Sequence, residues 1–143
     1  MSYHKILIAV DSSEYSLKAA EKGVELARQL QAEVAFLFVI DDSKAVENPD
    51  AGITKEEALI VLKKEAENTL DNLGNWYDSN SVTKLIPEGL PGIEIIKTSK
   101  AWYADIIVLG THGRTGLLHL LMGSVAEYVV RNSKIPVLII PFI

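Results

Sequence analysis

One stretch of this chain has the residue types and spacing to bind a phosphate: GTHGRTGLLHLLMGS, from Gly110 to Ser124. Its first three glycines would let a ligand approach the backbone amides without a Cβ in the way. The stretch follows a short apolar run and precedes a segment with helical spacing. Phosphates bind at such strand-to-helix junctions in α/β proteins, so the pattern predicts a nest of amide donors for an anion.

The end of the stretch favours the same chemistry. Gly123 and Ser124 open a predicted helix, whose first amides have no partners within the helix and carry partial positive charge. The Ser124 hydroxyl could donate to an anion as well. Ser124 and Glu127 also have the spacing of a capping box, in which the serine would only cap its helix. Both interpretations of Ser124 remain open from the sequence.

Other catalytic and metal-binding patterns are weaker. A P-loop requires G-x4-G-K-[ST] and a dinucleotide fingerprint requires G-x-G-x2-G, and neither is present. His112 could contact a phosphate or act as a base, but a loop histidine without an orienting partner is more often a contact. Arg114 could pair with a phosphate or be solvated. The chain has no cysteine, and His4 and His119 lack metal-ligand spacing, so no metal site is predicted.

Composition limits the class of protein. A length of 143 residues with 48% hydrophobic content fits one globular domain spanning residues 1–143. The net charge of -5, without a run of lysine or arginine, argues against nucleic-acid and anionic-membrane partners. No signal-peptide pattern or membrane-length apolar run is seen, so the expectation is a soluble, cytoplasmic protein.

Strand and helix patterns alternate along the chain. Apolar runs predict strands at 6–10, 33–40, 105–109 and 135–140, and a shorter, more polar run at 81–86 predicts an edge strand. Helical spacing predicts helices at 11–30, at 54–74, through 93–96 and at 124–131, with a polar loop at 41–53. Thr54 and Glu57 have capping-box spacing before the second helix, and Asp11 and Glu14 have it before the first.

This alternation predicts an α/β fold with a five-stranded parallel sheet, helices on both faces and a Rossmann-like order 3-2-1-4-5. Ligands of such sheets bind beyond the carboxyl ends of the strands at the switch point, here between the first and fourth strands. Those strands lead into Asp11 and Gly110. If the order holds, a carboxylate and a glycine loop therefore meet in one crevice, although Asp11 could instead serve only as a helix cap.

The chain resembles the universal stress proteins, specifically the nucleotide-binding branch with the motif G-x2-G-x9-G followed by Ser or Thr. Gly110, Gly113, Gly123 and Ser124 fit this motif without a gap. The resemblance runs through the whole chain, from ILIAVDSSEYS and FLFVID to ADIIVLGTHGRTG and IPVLIIP.

The resemblance implies a homodimer, paired through its C-terminal strand, that binds ATP, which Mg²⁺ can accompany. It places Asp11 near the nucleoside and the Val39 backbone against adenine. Ala9 stands where many members have proline, a change that a backbone contact would survive. The residues that it implies for ribose and phosphates are Gly110, Thr111, His112, Gly113, Arg114, Thr115, Gly116, Gly123, Ser124, Val125 and Ala126.

Three functions fit these expectations: an ATP-binding regulatory module of the stress response, a slow ATP-hydrolysing or phosphate-transferring enzyme, and an interaction protein with a structural nucleotide. The first is favoured because efficient phosphoryl transfer normally requires a positioned base and carboxylates committed to a metal. The sequence offers no convincing set of either. The apolar end of the chain, 135–143, would be an exposed sheet edge in a monomer, which also favours the homodimer.

Overall fold

A computed structural model describes residues 2–45, 48–77, 82–111 and 122–141. Its parallel sheet has the strand order β3-β2-β1-β4-β5, which confirms the predicted topology. The strands are β1 (Lys5–Val10), β2 (Glu33–Phe38), β3 (Val82–Leu85), β4 (Ile106–Gly110) and β5 (Val137–Ile140). The helices are α1 (Glu14–Leu30), α2 (Lys55–Gly74), α3 (Pro91–Ala101) and α4 (Ser124–Asn132).

The first strand lies at the centre of the sheet. Ile8 pairs with Phe36 of β2 on one side and with Val108 of β4 on the other. All three side chains are fully buried, as expected for strands covered on both faces. The carboxyl ends of β1, β2 and β4 therefore lie side by side along one edge.

Two separate apolar clusters cover the faces of the sheet. Ile6, Ile8 and Val10 of β1 pack in the cluster that contains the buried residues of α1 and α2. Leu7 and Ala9 belong to the opposite cluster, with buried residues of α3 and α4. Neighbouring β1 residues thus serve different faces, since successive side chains of a strand alternate.

One of two predicted helix caps differs from the structure. Helix α1 begins at Glu14 and is capped by Ser13, whose side chain accepts from the Ser16 amide, so the predicted start and cap at Asp11 are wrong. Asp11 instead accepts a hydrogen bond from the Ser13 amide, which forms a turn before the helix. The predicted cap of α2 is confirmed, because Thr54 accepts from the Glu57 amide.

The polar segment after β2, predicted to be a loop, contains local structure. Asp42–Lys44 and Pro49–Ala51 form short 3₁₀ turns, and Asn48 bridges to Ile53. Ser81, predicted to begin the third strand, lies outside the described residues. No helix in the described ranges combines the length and apolar character that crossing a bilayer requires.

Helix α1 contacts the sheet closely at Gly23. A Cβ at this position would lie 2.9 Å from Ile8 Cδ1 and 3.2 Å from Val108 Cγ1. We expect Gly23→Ala to lower the free energy of unfolding by up to about 2 kcal/mol, because overpacking costs about 1 to 3 kcal/mol and the gain in helix propensity offsets about 1 kcal/mol of this. Urea unfolding measures the change.

Gly74→Ala provides the matched control for this substitution. Its new Cβ would meet only the end of the Lys84 side chain, with Cε at 3.0 Å, and this flexible group can move aside. Gly74→Ala should therefore be neutral or stabilising. Equal stability changes in the two variants would contradict close packing at Gly23.

Candidate functional site

The carboxyl ends of the three central strands and the start of α4 enclose a cavity of about 230 Å³. It brings together every predicted site residue that the structure describes. These are Ala9, Asp11, Val39, Gly110, Thr111, Gly123, Ser124, Val125 and Ala126. The predicted site residues His112, Gly113, Arg114, Thr115 and Gly116 lie outside the described residues.

Asp11 is fixed at the cavity by hydrogen bonds within the β1–α1 turn. Its backbone amide donates to Ser16 Oγ at 2.7 Å, and its Oδ1 accepts from the Ser13 amide at 2.8 Å. Ser13 Oγ in turn accepts from the Ser16 amide at 3.2 Å. These three bonds close a ring of contacts around the turn, so the Asp11 carboxylate has a defined position at the end of β1.

The backbone of Val39 presents a donor and an acceptor beyond the end of β2. At the next residue, the Ile40 amide donates to the Pro87 carbonyl at 2.8 Å, and the Ile40 carbonyl accepts from Gly89 at 2.9 Å. Backbone groups of successive extended residues point to opposite sides, so those of Val39 point towards the β1 side. Val39 lies beyond the last β1–β2 pair, Val10 and Phe38, and neither of its backbone groups makes a hydrogen bond of normal geometry to another described residue.

Thr111 joins the end of β4 to its neighbours. Its amide donates to the Ile140 carbonyl of β5 at 3.1 Å, and its carbonyl accepts from the Gly123 amide at 2.6 Å. The second bond holds the start of α4 directly beside the end of β4. The helix therefore begins at the cavity with its amide end facing the strand termini.

The start of α4 has no side-chain cap. The residue preceding the helix is Gly123, and Ser124 is the first helical residue. The Glu127 amide donates to the Gly123 carbonyl, rather than to a serine hydroxyl. The capping role considered for Ser124 is therefore wrong, because Gly123 occupies the cap position and Ser124 is already helical. The first amides of α4 remain available to an anion, as their partial positive charge favours.

Several cavity residues were not predicted from the sequence. Leu37, Leu62, Pro91 and Ile95 make up much of an apolar wall, while Ser16, Asp41 and Lys44 add polar groups. They come from β2, three helices and the 3₁₀ turn after β2, and no sequence motif links them. The signal that could have found Ser16 is its position one turn into the helix that follows Asp11.

The described residues contain no group of three or more histidine, aspartate or glutamate side chains that could hold a metal ion. What the cavity offers is a carboxylate, an unpartnered backbone donor–acceptor pair, an apolar wall and a helix start. This combination can bind a ligand that has a flat apolar part, hydroxyl or amine donors, and an anionic end.

Comparison with known proteins agrees with the fold described above. The sequence profile of the Universal stress protein family matches residues 2–141. The chain belongs to this family. The match spans nearly the whole length, so every element that forms the cavity lies within the family domain.

Two relatives from Methanocaldococcus jannaschii illustrate the similarity. Universal stress protein MJ0531 is 38% identical over 141 residues, covering 96% of this chain and 82% of the relative. Universal stress protein MJ0577 is 32% identical over 154 residues, covering 96% of this chain and 94% of the relative. The solved structure of MJ0577 has a TM-score of 0.86 and covers 100% of this chain and 99% of that one.

Two more distant members of the family have been solved with a nucleotide. The universal stress protein from Archaeoglobus fulgidus in complex with dAMP is 22% identical, with a TM-score of 0.66, and covers 97% of this chain and 98% of that one. A universal stress protein in complex with cAMP is also 22% identical, with a TM-score of 0.67, and covers 99% of this chain and 98% of that one. At this identity they share the fold with this chain.

The position of Ser124 leads to a stability prediction. Because Ser124 does not cap α4, Ser124→Ala should change the free energy of unfolding by less than about 0.5 kcal/mol. Thr54→Ala, which removes a side-chain cap from α2, should cost about 1 kcal/mol. Thermal and urea unfolding of the ligand-free proteins test both. A loss in Ser124→Ala as large as that in Thr54→Ala would restore the capping role.

Proposed function

We propose that this protein is a regulatory module that binds an adenine nucleotide, in the first place ATP, at the carboxyl ends of β1 and β4. The observation that carries the proposal is the unpartnered amide and carbonyl of Val39, which face the cavity. A nucleotide base bound there would supply the hydrogen bonds that the chain itself does not make.

The arrangement of donor and acceptor at Val39 distinguishes between bases. One residue presents an N–H donor and a C=O acceptor on the same side of an extended chain. Adenine offers the complementary pair, with N1 as acceptor and the N6 amine as donor. Guanine has the opposite polarity, with N1–H as donor and O6 as acceptor. Its base would set donor against donor and acceptor against acceptor at Val39.

The apolar wall suits the faces of a base. Leu37, Pro91 and Ile95 contribute apolar surface to the same cavity as Val39. A planar ring would bury its faces against these side chains while its edge meets the backbone, which is how ligand sites commonly divide affinity and orientation.

The phosphates belong at the other side of the cavity. The start of α4, at Gly123 and Ser124, supplies amides and the positive end of the helix dipole. The hydrogen bond between the Gly123 amide and the Thr111 carbonyl sets this helix start against the end of β4. The G-x2-G-x9-G-S motif adds the glycine stretch between them, which supports assignment to the ATP-binding branch.

The relatives support a nucleotide in a site of this fold. The dAMP and cAMP complexes both hold an adenine nucleotide, with one phosphate each. Because they share only the fold with this chain, the preference for ATP rests on the residues of its own cavity. We propose that a change in nucleotide occupancy is what this protein signals, and that any hydrolysis is slow.

ATP should bind at least about tenfold more tightly than GTP, because reversing the polarity of two hydrogen bonds costs more than about 1.4 kcal/mol. Isothermal titration calorimetry of the purified protein measures both affinities. Equal affinities would contradict base selection by Val39. If neither nucleotide bound, the cavity would serve another ligand or the protein would act by interaction alone.

Gly123→Asp serves as an internal control for the two sides of the cavity. A carboxylate at the start of α4 would repel the phosphates and occupy the amides, so ATP affinity should fall while adenosine affinity changes little.

Steady-state ATP hydrolysis by the wild-type protein is measured on the same preparations. Sustained turnover near the enzyme median of about 10 s⁻¹ would favour the enzymatic function instead.

We also propose a homodimer that pairs through β5. Pro136 and Ile140 carbonyls accept hydrogen bonds from β4 and its extension, so the alternating groups of Val137 and Ile139 point to the open edge. Among the described strands, β5 has a neighbour only in β4. Its apolar side chains are half-buried, which makes this edge a ready template for a second copy.

The expected mass in solution is that of two 15.7 kDa chains. Val137→Pro should shift the protein to monomer, since it removes an outward N–H at the first strand position, where proline is tolerated. Val137→Ala also removes side-chain contacts but keeps the N–H, and this variant should remain dimeric. Light scattering coupled to size exclusion gives each mass. A monomeric wild type at micromolar concentration would rule out this dimer.

A further inference from the structure

Ser16 is a buried polar residue at the cavity, and none of the motifs assigns it a role. Only 5% of its surface is exposed, and it lies in the first turn of α1. Its Oγ accepts the Asp11 amide at 2.7 Å, although Ser16 follows Asp11 by five positions. A serine within a helix more often bonds back to the carbonyl four residues earlier. Ser16 is thus committed to the turn that holds Asp11.

Capping of α1 does not explain this arrangement. Ser13 provides the cap, with its Oγ accepting from the Ser16 amide. The Ser16 hydroxyl proton has no acceptor among the described residues, and the side chain lines the cavity. Ser16 is thus a buried residue at the edge of the cavity whose described side-chain hydrogen bond holds the Asp11 backbone.

The same hydrogen bonds divide the two oxygens of the Asp11 carboxylate. Oδ1 accepts from the Ser13 amide, while Oδ2 has no partner within the described ranges. A carboxylate oxygen without a proton only accepts hydrogen bonds, so Oδ2 can accept from a ligand donor in the cavity. In an adenine nucleotide the donors are the N6 amine and the sugar hydroxyls. The amine is matched by the Val39 carbonyl, and the anionic phosphates would be repelled by Asp11.

We propose that Ser16 is a positioning residue for recognition of the sugar. Its buried hydroxyl fixes the Asp11 backbone so that Oδ2 accepts a hydrogen bond from a ribose hydroxyl. This inference rests on the proposed nucleotide site and deepens it, because it makes the ligand a ribonucleotide rather than any adenine compound.

The experiment compares ATP with 2′-deoxy-ATP and 3′-deoxy-ATP by calorimetry. Wild type should bind at least one deoxy analogue about tenfold more weakly, as loss of a hydrogen bond to a charged group predicts. Asp11→Ala should abolish this ratio. Ser16→Ala should reduce it to less than about threefold, and adding it to Asp11→Ala should change nothing further, because Ser16 acts through Asp11.

Ser99→Ala is the matched control. Ser99 is the other buried serine of the described chain, with 3% exposure, but its hydroxyl bonds the Ile96 carbonyl within α3 and does not line the cavity. Its variant should keep the full ratio. If Ser16→Ala does not fold, Ser16→Cys keeps the volume with a weaker acceptor and should also lower the ratio.

The outcomes separate this inference from the proposed function. A wild type that binds both deoxy analogues as tightly as ATP would overturn the inference while leaving the nucleotide site standing. A Ser16→Ala protein that loses affinity for ATP and its analogues equally would overturn it too, since that pattern indicates general loss of structure. A wild type that binds no nucleotide would remove the proposed function itself, and this inference with it.

Discussion

A parallel sheet that is buried on both faces must leave backbone groups unpaired where its strands end together. The constraint is strongest here at β1, which pairs on both sides and ends at Val10. Past the end of β2, the chain continues through Val39 to Ile40, whose backbone groups bond to Pro87 and Gly89. The crevice beyond β1 therefore contains donors and acceptors that no strand can satisfy. Buried polar groups are costly without partners, so this edge is suited to a ligand.

The sequence predicted the fold well because long-range order in this chain follows from patterns that are local. Apolar runs such as Ile6 to Val10 are readable as buried strands, and their alternation with helices leaves few allowed topologies. Asp11 and Gly110 could be placed together from that topology alone. The apolar wall could not, since Leu62 of α2 meets Pro91 and Ile95 of α3 only through the packing of the two helices on the sheet.

Both errors at helix starts concern side chains with two plausible partners. Asp11 and Ser124 each precede a glutamate by three residues, which is the spacing of a capping box. Within the turn after β1, Ser13 lies closer to the helix and takes the cap, which leaves Asp11 to bond the Ser13 amide. At α4 the cap position belongs to Gly123, whose backbone is extended, so Ser124 is already the first helical residue. The spacing of a capping box does not resolve a shift of the cap by one or two residues.

These shifts have a common consequence for function. A serine or aspartate that caps a helix spends its acceptor on that helix, whereas Asp11 keeps one carboxylate oxygen and α4 keeps its first amides for another partner. A ligand that satisfies them binds the folded state alone, and stabilises it by an amount that grows with the logarithm of ligand concentration. Occupancy is then coupled to the rigidity of the strand ends and of the start of α4. Under the proposed regulatory function, that coupling is the physical basis on which this domain would report the level of its ligand.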